Sequence, residues 1–304
     1  MGNLVDEGSG FVSGFIATIG RANVGKSTLI NRMVGQKVLI VSEKPQTTRN
    51  KITCILTNED CQCIFLDTPG MHKPRHRLGE RMVRAARESL NEVDIVLYLV
   101  DGTAPVGRGD RLIADELKGL KTPVLLAVNK IDLVSVGEVE KVCREYGALG
   151  EFEGVFPVSA LHGDGLADLL SAIKSLLPPG PKYYPDDMVT DRPERFIIRE
   201  LIREKVLHLT REEVPHSVAV DVEEMEPREN NLVYVRASLY VEKESQKGIL
   251  IGRQGRMLKE IGRLARGEIE GLLGSKIYLD LWVKVKEDWR NREGSLQNLG
   301  YGEL

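Results

Sequence analysis

The chain has 304 residues, enough for two domains, with 42% hydrophobic and 29% charged residues, the balance of a water-soluble protein with buried cores. Its net charge of −3 excludes an overall basic character, so any nucleic-acid site must be a local patch. The four cysteines form no C-x-x-C pair and the five histidines are scattered, which points to reduced thiols in the cytoplasm and to no metal-ligating cluster. The N-terminal residues lack a signal pattern, Asp6 stands where a myristoylation motif needs Ser or Thr, and the run Ile95–Val100 is too short to span a bilayer.

The first informative stretch is Gly20-Arg-Ala-Asn-Val-Gly-Lys-Ser27, which fits G-x-x-x-x-G-K-[ST]. It lies between an apolar run, Phe15–Ile19, that reads as a buried strand, and Ser27–Val34, which reads as a helix. Gly20 and Gly25 let the backbone curl round a polyphosphate with its N–H groups inward, and the helix adds its positive end. Lys26 is expected at the β- and γ-phosphates and Ser27 on Mg²⁺, with Asn23, Val24 and Thr28 completing the loop's nucleotide contacts. The bland alternative is a glycine turn with an exposed lysine.

Further along, Ser42–Asn50 carries turn and cap residues and no apolar period, and reads as a loop. Strands are expected at 52–57 and 61–66, joined by Asn58-Glu-Asp60, and Asp67-Thr-Pro-Gly70 closes the second. A helix bearing Met82, Val83, Ala86 and Leu90 follows, then strands at 94–100, 124–129 and 155–158 alternating with helices at 111–120, 138–146 and 166–177. Such alternation implies an α/β domain whose mostly parallel sheet is covered by helices on both faces, with ligands at the carboxyl ends of the strands.

Three further motifs fall at those ends. Asp67 can hold Mg²⁺ directly or through water, and Gly70 lets its N–H approach a γ-phosphate. In Asn129-Lys-Ile-Asp132, a carboxylate at Asp132 matches the N1–H and N2 amine of guanine, which adenine lacks, and the Lys130 stem can lie over the base. Ser159-Ala-Leu161 offers the Ala160 N–H to guanine O6. Each piece alone reads equally as a turn or cap; four in order, each at a strand end, read as a GTP/GDP site.

This set resembles the GTPases of the translation-factor-related branch, and Pro45-Gln-Thr-Thr-Arg49 is similar to the switch segment of the Era family within it. The resemblance implies that a threonine of this segment, Thr48 or alternatively Thr47, contacts Mg²⁺ and the γ-phosphate. Lys26, Thr48 and Gly70 would then carry catalysis, and Ser27, Thr48 and Asp67 the metal. Met71 occupies the place where many small GTPases carry a water-orienting glutamine, so slow intrinsic hydrolysis is expected. Asn23 is either a plain turn residue or, as in resembling GTPases, a ligand for K⁺ against the phosphates.

Leu177-Pro-Pro-Gly-Pro181 ends the alternation. The domains are therefore expected at 11–178 (GTP-binding) and 193–292, with a linker at 179–192 and a tail at 293–304. Beyond the linker come a helix from Phe196 to Leu209, strands at 218–222 and 232–241, a turn Ile251-Gly-Arg-Gln-Gly255, a helix from Leu258 to Leu272, a strand at 277–285 and a short helix at 287–292. That order resembles the KH domain, an α+β RNA-binding fold, and implies that the two-glycine turn clamps about four nucleotides of a single strand. Lys247, Gly252, Arg253, Gln254, Gly255, Arg256 and Lys259 are its candidate RNA contacts, within a local basic patch. Trp282 and Trp289 are expected in a core or interface rather than as base-stacking platforms.

The resemblance to the Era family covers nearly the whole chain. It implies a monomeric GTP switch that binds the 3′ end of 16S ribosomal RNA and assists maturation of the 30S subunit, cytoplasmic and, in some members, peripherally associated with the inner face of the membrane. Three alternatives are weighed against it. One is a nucleotide-gated RNA scaffold with negligible catalysis, which Met71 favours. A tRNA-modifying GTPase would need a catalytic cysteine near the C-terminus that this chain lacks, and an ATPase is opposed by Asp132.

Overall fold

The computed structural model describes residues 10–301 except 72, 73, 75 and 91. The chain divides into two compact units. One runs to Val38, resumes at Lys51 and continues through Arg84–Asp191; the other takes Leu39–Asn50, the segment ending at Val83, and Arg192 onward.

The first unit is built on a six-stranded sheet of β1 (Val12–Ile19), β2 (Ile52–Thr57), β3 (Cys61–Asp67), β4 (Ile95–Asp101), β5 (Val124–Asn129) and β6 (Gly154–Pro157), in the order β2-β3-β1-β4-β5-β6. β2 alone is antiparallel, the partner of β3 in a hairpin. The helices are α1 (Lys26–Val34), α3 (Arg108–Leu117), α4 (Val136–Gly147) and α5 (Leu166–Leu176); α2 (Arg77–Glu88) contributes to both units. The parallel strands are nearly continuous apolar runs because both faces are covered: every residue of Ile95–Val100 is fully buried. The chain leaves β1 at the point where the strand order reverses, the usual ligand crevice of such sheets.

The second unit has a three-stranded sheet, β7 (Ala219–Arg228), β8 (Leu232–Val241) and β9 (Lys276–Val285), with β7 antiparallel and β9 parallel to the central β8. Its helices are α6 (Glu194–Leu209), α7 (Val214–Ser217), α8 (Glu244–Ile251), α9 (Arg256–Leu273) and α10 (Glu293–Leu296), the last running into a single π-helical turn, Gln297–Tyr301. The expected helix at 287–292 is instead a turn, and the helix begins at Glu293. Trp289 in that turn is fully buried, stacked on Tyr301 with ring centroids 5.7 Å apart, and donates from Nε1 to Ser217 O at 2.8 Å. Trp282 is corrected from a core to a surface position. It alternates onto the outer face of β9, is 55% exposed and donates to Asp280 at 3.0 Å.

Into this second unit the loop Leu39–Asn50 is packed. Arg49 is 1% exposed, with its guanidinium 5.8 Å from the Trp289 ring centroid and 6.0 Å from that of Tyr301. Nη1 donates to Val218 O at 2.6 Å and Nη2 to Pro215 O at 3.1 Å, so the charge is met by carbonyl dipoles. Around it, Arg203 donates to Thr47 O at 2.5 Å, Glu204 accepts from Val41 N–H at 2.9 Å, and Asn50 donates to Gly300 O at 2.8 Å. Leu78, Met82, Leu296 and Leu299 close an apolar cluster over Trp289.

Removing a buried guanidinium strips these carbonyls of their donors and leaves a hole beside two aromatic rings. Arg49→Met should lower stability by about 2–4 kcal/mol in a urea titration; a midpoint unchanged from wild type would show that the anchor contributes nothing.

Candidate nucleotide and nucleic-acid sites

In the first unit the phosphate loop is braced from two sides. Gly25, the residue before α1, has φ 104°, and a Cβ there would lie 2.2 Å from Asn129 Nδ2, so only glycine fits. Asn129 itself ends β5, is 2% exposed, donates to Val24 O at 2.8 Å and accepts from Ala160 N–H at 2.9 Å. It thus ties the phosphate loop to the loop after β6. On the other side Met71 N–H donates to Gly20 O at 3.1 Å, and a Cβ on Gly70 would meet Ala22 Cα at 2.8 Å. The backbone around residues 70 and 71 is therefore held against the loop that is to carry the phosphates.

Lys26 is 6% exposed, and its Nζ donates to Arg21 O at 3.0 Å and to Gly20 O at 3.3 Å. The ammonium is curled onto its own loop, as a group awaiting an anion would be. Burial pulls its pKa down to about 8, partly opposed by the charge of Asp67. Ser27 Oγ donates to Asp67 Oδ2 at 2.8 Å. A hydroxyl and a carboxylate so close together are the hard oxygen donors that suit Mg²⁺, and the residues fit that ion. Among the described residues no other grouping of three or more His, Cys, Asp or Glu side chains offers a metal site.

At the guanine end, Asp132 follows β5 in a single 3₁₀ turn, Ile131–Leu133. Its carboxylate is oriented by Ser159 Oγ, which donates to Oδ1 at 2.6 Å, and Nε2 of His162 lies 3.9 Å from Oδ2. Lys130 adopts φ 67° and reaches Asp101 Oδ2 at 2.5 Å. Asp101, at the end of β4, was absent from the sequence reading, although its place at a strand end is the same signal that exposed Asp67 and Asn129. The Ala160 N–H is taken by Asn129, so to reach guanine O6 it would have to exchange that partner. Asn23, at φ 65°, sits on the loop. Of the sequence-predicted nucleotide residues, Gly20 to Thr28, Asp67, Gly70, Asn129 to Asp132, Ser159 and Ala160 belong to this unit; Thr48, 9% exposed, belongs to the second.

In the second unit, α8 and α9 are joined by Gly252-Arg-Gln-Gly255. Gly252 has φ 71°, and a Cβ there would strike Met257 at 2.7 Å, which fixes glycine at this corner. Gly255 precedes α9, whose N-terminal amides face the loop. Arg253, Gln254, Arg256 and Lys259 are exposed, whereas Lys247 is half-buried, 3.8 Å from Glu244. Ile249, on the helix before the turn, is half exposed beside these cations. An apolar spot with a basic rim and a glycine corner is a fitting seat for a sugar–phosphate strand.

Comparison with known proteins finds relatives of both units. A family model described as a 50S ribosome-binding GTPase matches residues 15–130, and a KH domain model matches residues 213–290. The GTPase Era of Carboxydothermus hydrogenoformans is 56% identical over 295 residues, 97% of this chain and 99% of that protein. The GTPase Era of Alkaliphilus oremlandii is 53% identical over 96% of this chain. Among solved structures, Era in complex with MgGDPNP and nucleotides 1506–1542 of 16S ribosomal RNA matches with a TM-score of 0.93 at 40% identity, covering 96% of this chain and 99% of that one. An Era variant from Aquifex aeolicus bound to GDP and AlF4⁻ matches with a TM-score of 0.92 at the same identity.

The Lys26 ammonium sets a pH dependence. In the nucleotide-free protein its charge fades as pH rises through about 8, and phosphate binding is then coupled to uptake of a proton from solvent. GDP affinity should fall roughly tenfold between pH 7 and pH 9, and the Lys26→Arg variant should show a flatter profile; equal slopes for the two would contradict the assignment. The folded pKa lies below the unfolded value of 10.5, so this group makes the nucleotide-free protein gain stability as pH rises from about 8 towards 10.5.

Proposed function

This chain belongs to the GTPase Era family, and from that premise we propose that it binds GTP with Mg²⁺, hydrolyses it to GDP and phosphate, and uses the bound nucleotide to set its grip on the 3′ end of 16S ribosomal RNA during 30S subunit maturation. The observation that carries this reading is the presence, on one chain, of a pocket braced by Asn129 and a two-glycine loop, beside the likeness to an Era structure in complex with MgGDPNP and nucleotides 1506–1542 of 16S ribosomal RNA.

In this reading Lys26 swings from its loop carbonyls to the β- and γ-phosphates, and the Gly20–Thr28 amides take the remaining oxygens. Ser27, Asp67 and Thr48 would hold Mg²⁺, which would supply charge neutralisation at the phosphates. The Gly70 N–H meets the γ-phosphate. Asp132, held by Ser159, reads guanine N1–H and N2, while Lys130 covers the base. Met71 offers no amide to orient a water, so intrinsic hydrolysis is slow, and K⁺ held at Asn23 adds charge at the phosphates. Lys247, Gly252, Arg253, Gln254, Gly255, Arg256 and Lys259 clamp the RNA strand. The protein works in the cytoplasm as a monomer, with peripheral contact at the inner face of the membrane; among the described residues no helix is long and apolar enough to cross one.

The two halves communicate through adjacent residues. Thr48 answers to the γ-phosphate, and Arg49, its neighbour, is the buried anchor of the second unit. Ordering Thr48 therefore bears on the unit that holds RNA, and RNA must stabilise bound GTP by the same factor by which GTP favours RNA. The scaffold reading, which Met71 favours, is separated by single-turnover hydrolysis with and without a 16S 3′-end fragment. A GTPase switch predicts a measurable rate that the RNA raises; no hydrolysis above the buffer rate in either case supports the scaffold instead. For base recognition, Asp132→Asn should shift preference from guanine to xanthine nucleotides by about tenfold or more; unchanged preference would remove Asp132 from that role. Equal turnover in Na⁺ and K⁺ buffers would remove the potassium role.

A further inference from the structure

The second unit carries a cleft of about 630 Å³ whose lining includes Asn50, Arg192, Arg195, Phe196, Arg199 and Asp221. Three guanidinium groups face one carboxylate there. Arg199 is 8% exposed and stacks over the Phe196 ring at 4.5 Å, while Arg192 lies over the same ring at 5.3 Å. Nη1 of Arg199 donates to Leu299 O at 3.2 Å, and its Nε lies 3.8 Å from Glu200, a carboxylate already bound to Arg203. Nη2 is buried with no acceptor. A buried charged N–H left without a partner is destabilising, and a nearby anion would offset that.

The site has been shaped around that arginine. Gly300, at φ 73°, comes so close that a Cβ would lie 2.4 Å from Arg199 Nη1. Gly300 is itself fixed by Asn50, which donates to its carbonyl. The cleft also opens at the N-terminal turn of the 16-residue helix α6, where Pro193 and Phe196 line it and the helix end favours negative charge. Arg195 is exposed at the mouth. Asp221 is the cleft's own carboxyl group, and burial together with Glu223 pushes its pKa up against the opposing charges of Arg199, Lys284 and Lys286.

We propose that this cleft is a phosphate-binding site, in which Arg199 and Arg195 grip a phosphate group that belongs either to an RNA backbone or to a small phosphorylated ligand. The site is separate from both the nucleotide loop and the two-glycine turn, and it stands whether or not the proposed switch function holds. A phosphate fits the donor set: planar guanidinium forks pair with its oxygens two at a time, and the flanking Phe196 holds two of the arginines in place.

The test uses the full chain with its nucleotide loop filled by GDP and Mg²⁺, titrated calorimetrically with inorganic phosphate against a chloride control of equal ionic strength. Saturable phosphate binding is expected, weakened about fivefold or more by Arg199→Met and about twofold or more by the exposed Arg195→Gln, which leaves the fold intact. A second arm measures a 16S 3′-end fragment by anisotropy across a salt series. If Arg195→Gln lowers the salt slope by about one, the phosphate is an RNA backbone group; if RNA binding is unchanged while phosphate binding falls, it belongs to a small ligand. Phosphate binding no better than chloride, or binding untouched by both substitutions, overturns the proposal.

Discussion

Arg49 is the constraint on which the second unit depends. A guanidinium with 1% exposure needs partners inside the fold, and here Nη1 and Nη2 find three backbone carbonyls from the Pro215–Val218 stretch while the group lies near the faces of Trp289 and Tyr301. Those partners come from widely separated stretches, so one side chain fixes the loop Leu39–Asn50, the turn around Trp289 and the π-turn that ends at Tyr301. The cost of dehydrating the charge is recovered only if all three are in place. The residues after Arg292 join that enclosure through Tyr301, and Leu296 and Leu299 close the cluster around Trp289.

The first unit is organised by a neutral counterpart. Asn129 has both ends of its amide engaged, one on Val24 and one on Ala160, with Gly25 cleared to let it pass. An asparagine so placed positions the phosphate loop and the guanine loop together, before any ligand arrives. Pre-organisation of this kind spares the ordering cost on binding. Lys26 is the part left poised: burial lowers its pKa to about 8, so its ammonium is held less favourably than in water and gains most when a phosphate arrives.

Much of this was legible in the sequence, and for identifiable reasons. Phosphate loops, Asp67, Asn129–Asp132 and the Gly252–Gly255 turn are local: their chemistry demands particular residues at fixed spacing beside a strand or helix, and the spacing survives in one dimension. What the sequence hid was long-range. Nothing in Pro45–Arg49 says that its arginine is swallowed by residues near 216 and 301, because the acceptors are backbone carbonyls, which any residue supplies. Trp282 was misplaced for a related reason. Alternation predicts two faces of a strand but not which is covered, and the apolar side of β9 proved to be that of Ile277 rather than Trp282. The helix expected at 287–292 failed because Asp288 takes φ 52° and the chain turns there to bury Trp289. Arg199 carries no signal in one dimension, since only the fold reveals that it is enclosed.

The account makes the pairing of Thr48 with Arg49 the link between a guanine pocket and an RNA clamp. The most direct measurement is the affinity for a 16S 3′-end fragment with GDPNP bound and with GDP bound, compared in wild type and in Arg49→Lys, which keeps the charge but loses the fork. The account predicts about a tenfold preference for the GDPNP form in wild type that shrinks towards unity in the variant. Equal RNA affinity of the wild-type protein in the two nucleotide states would contradict it outright; a preference that persists undiminished in Arg49→Lys would place the link elsewhere.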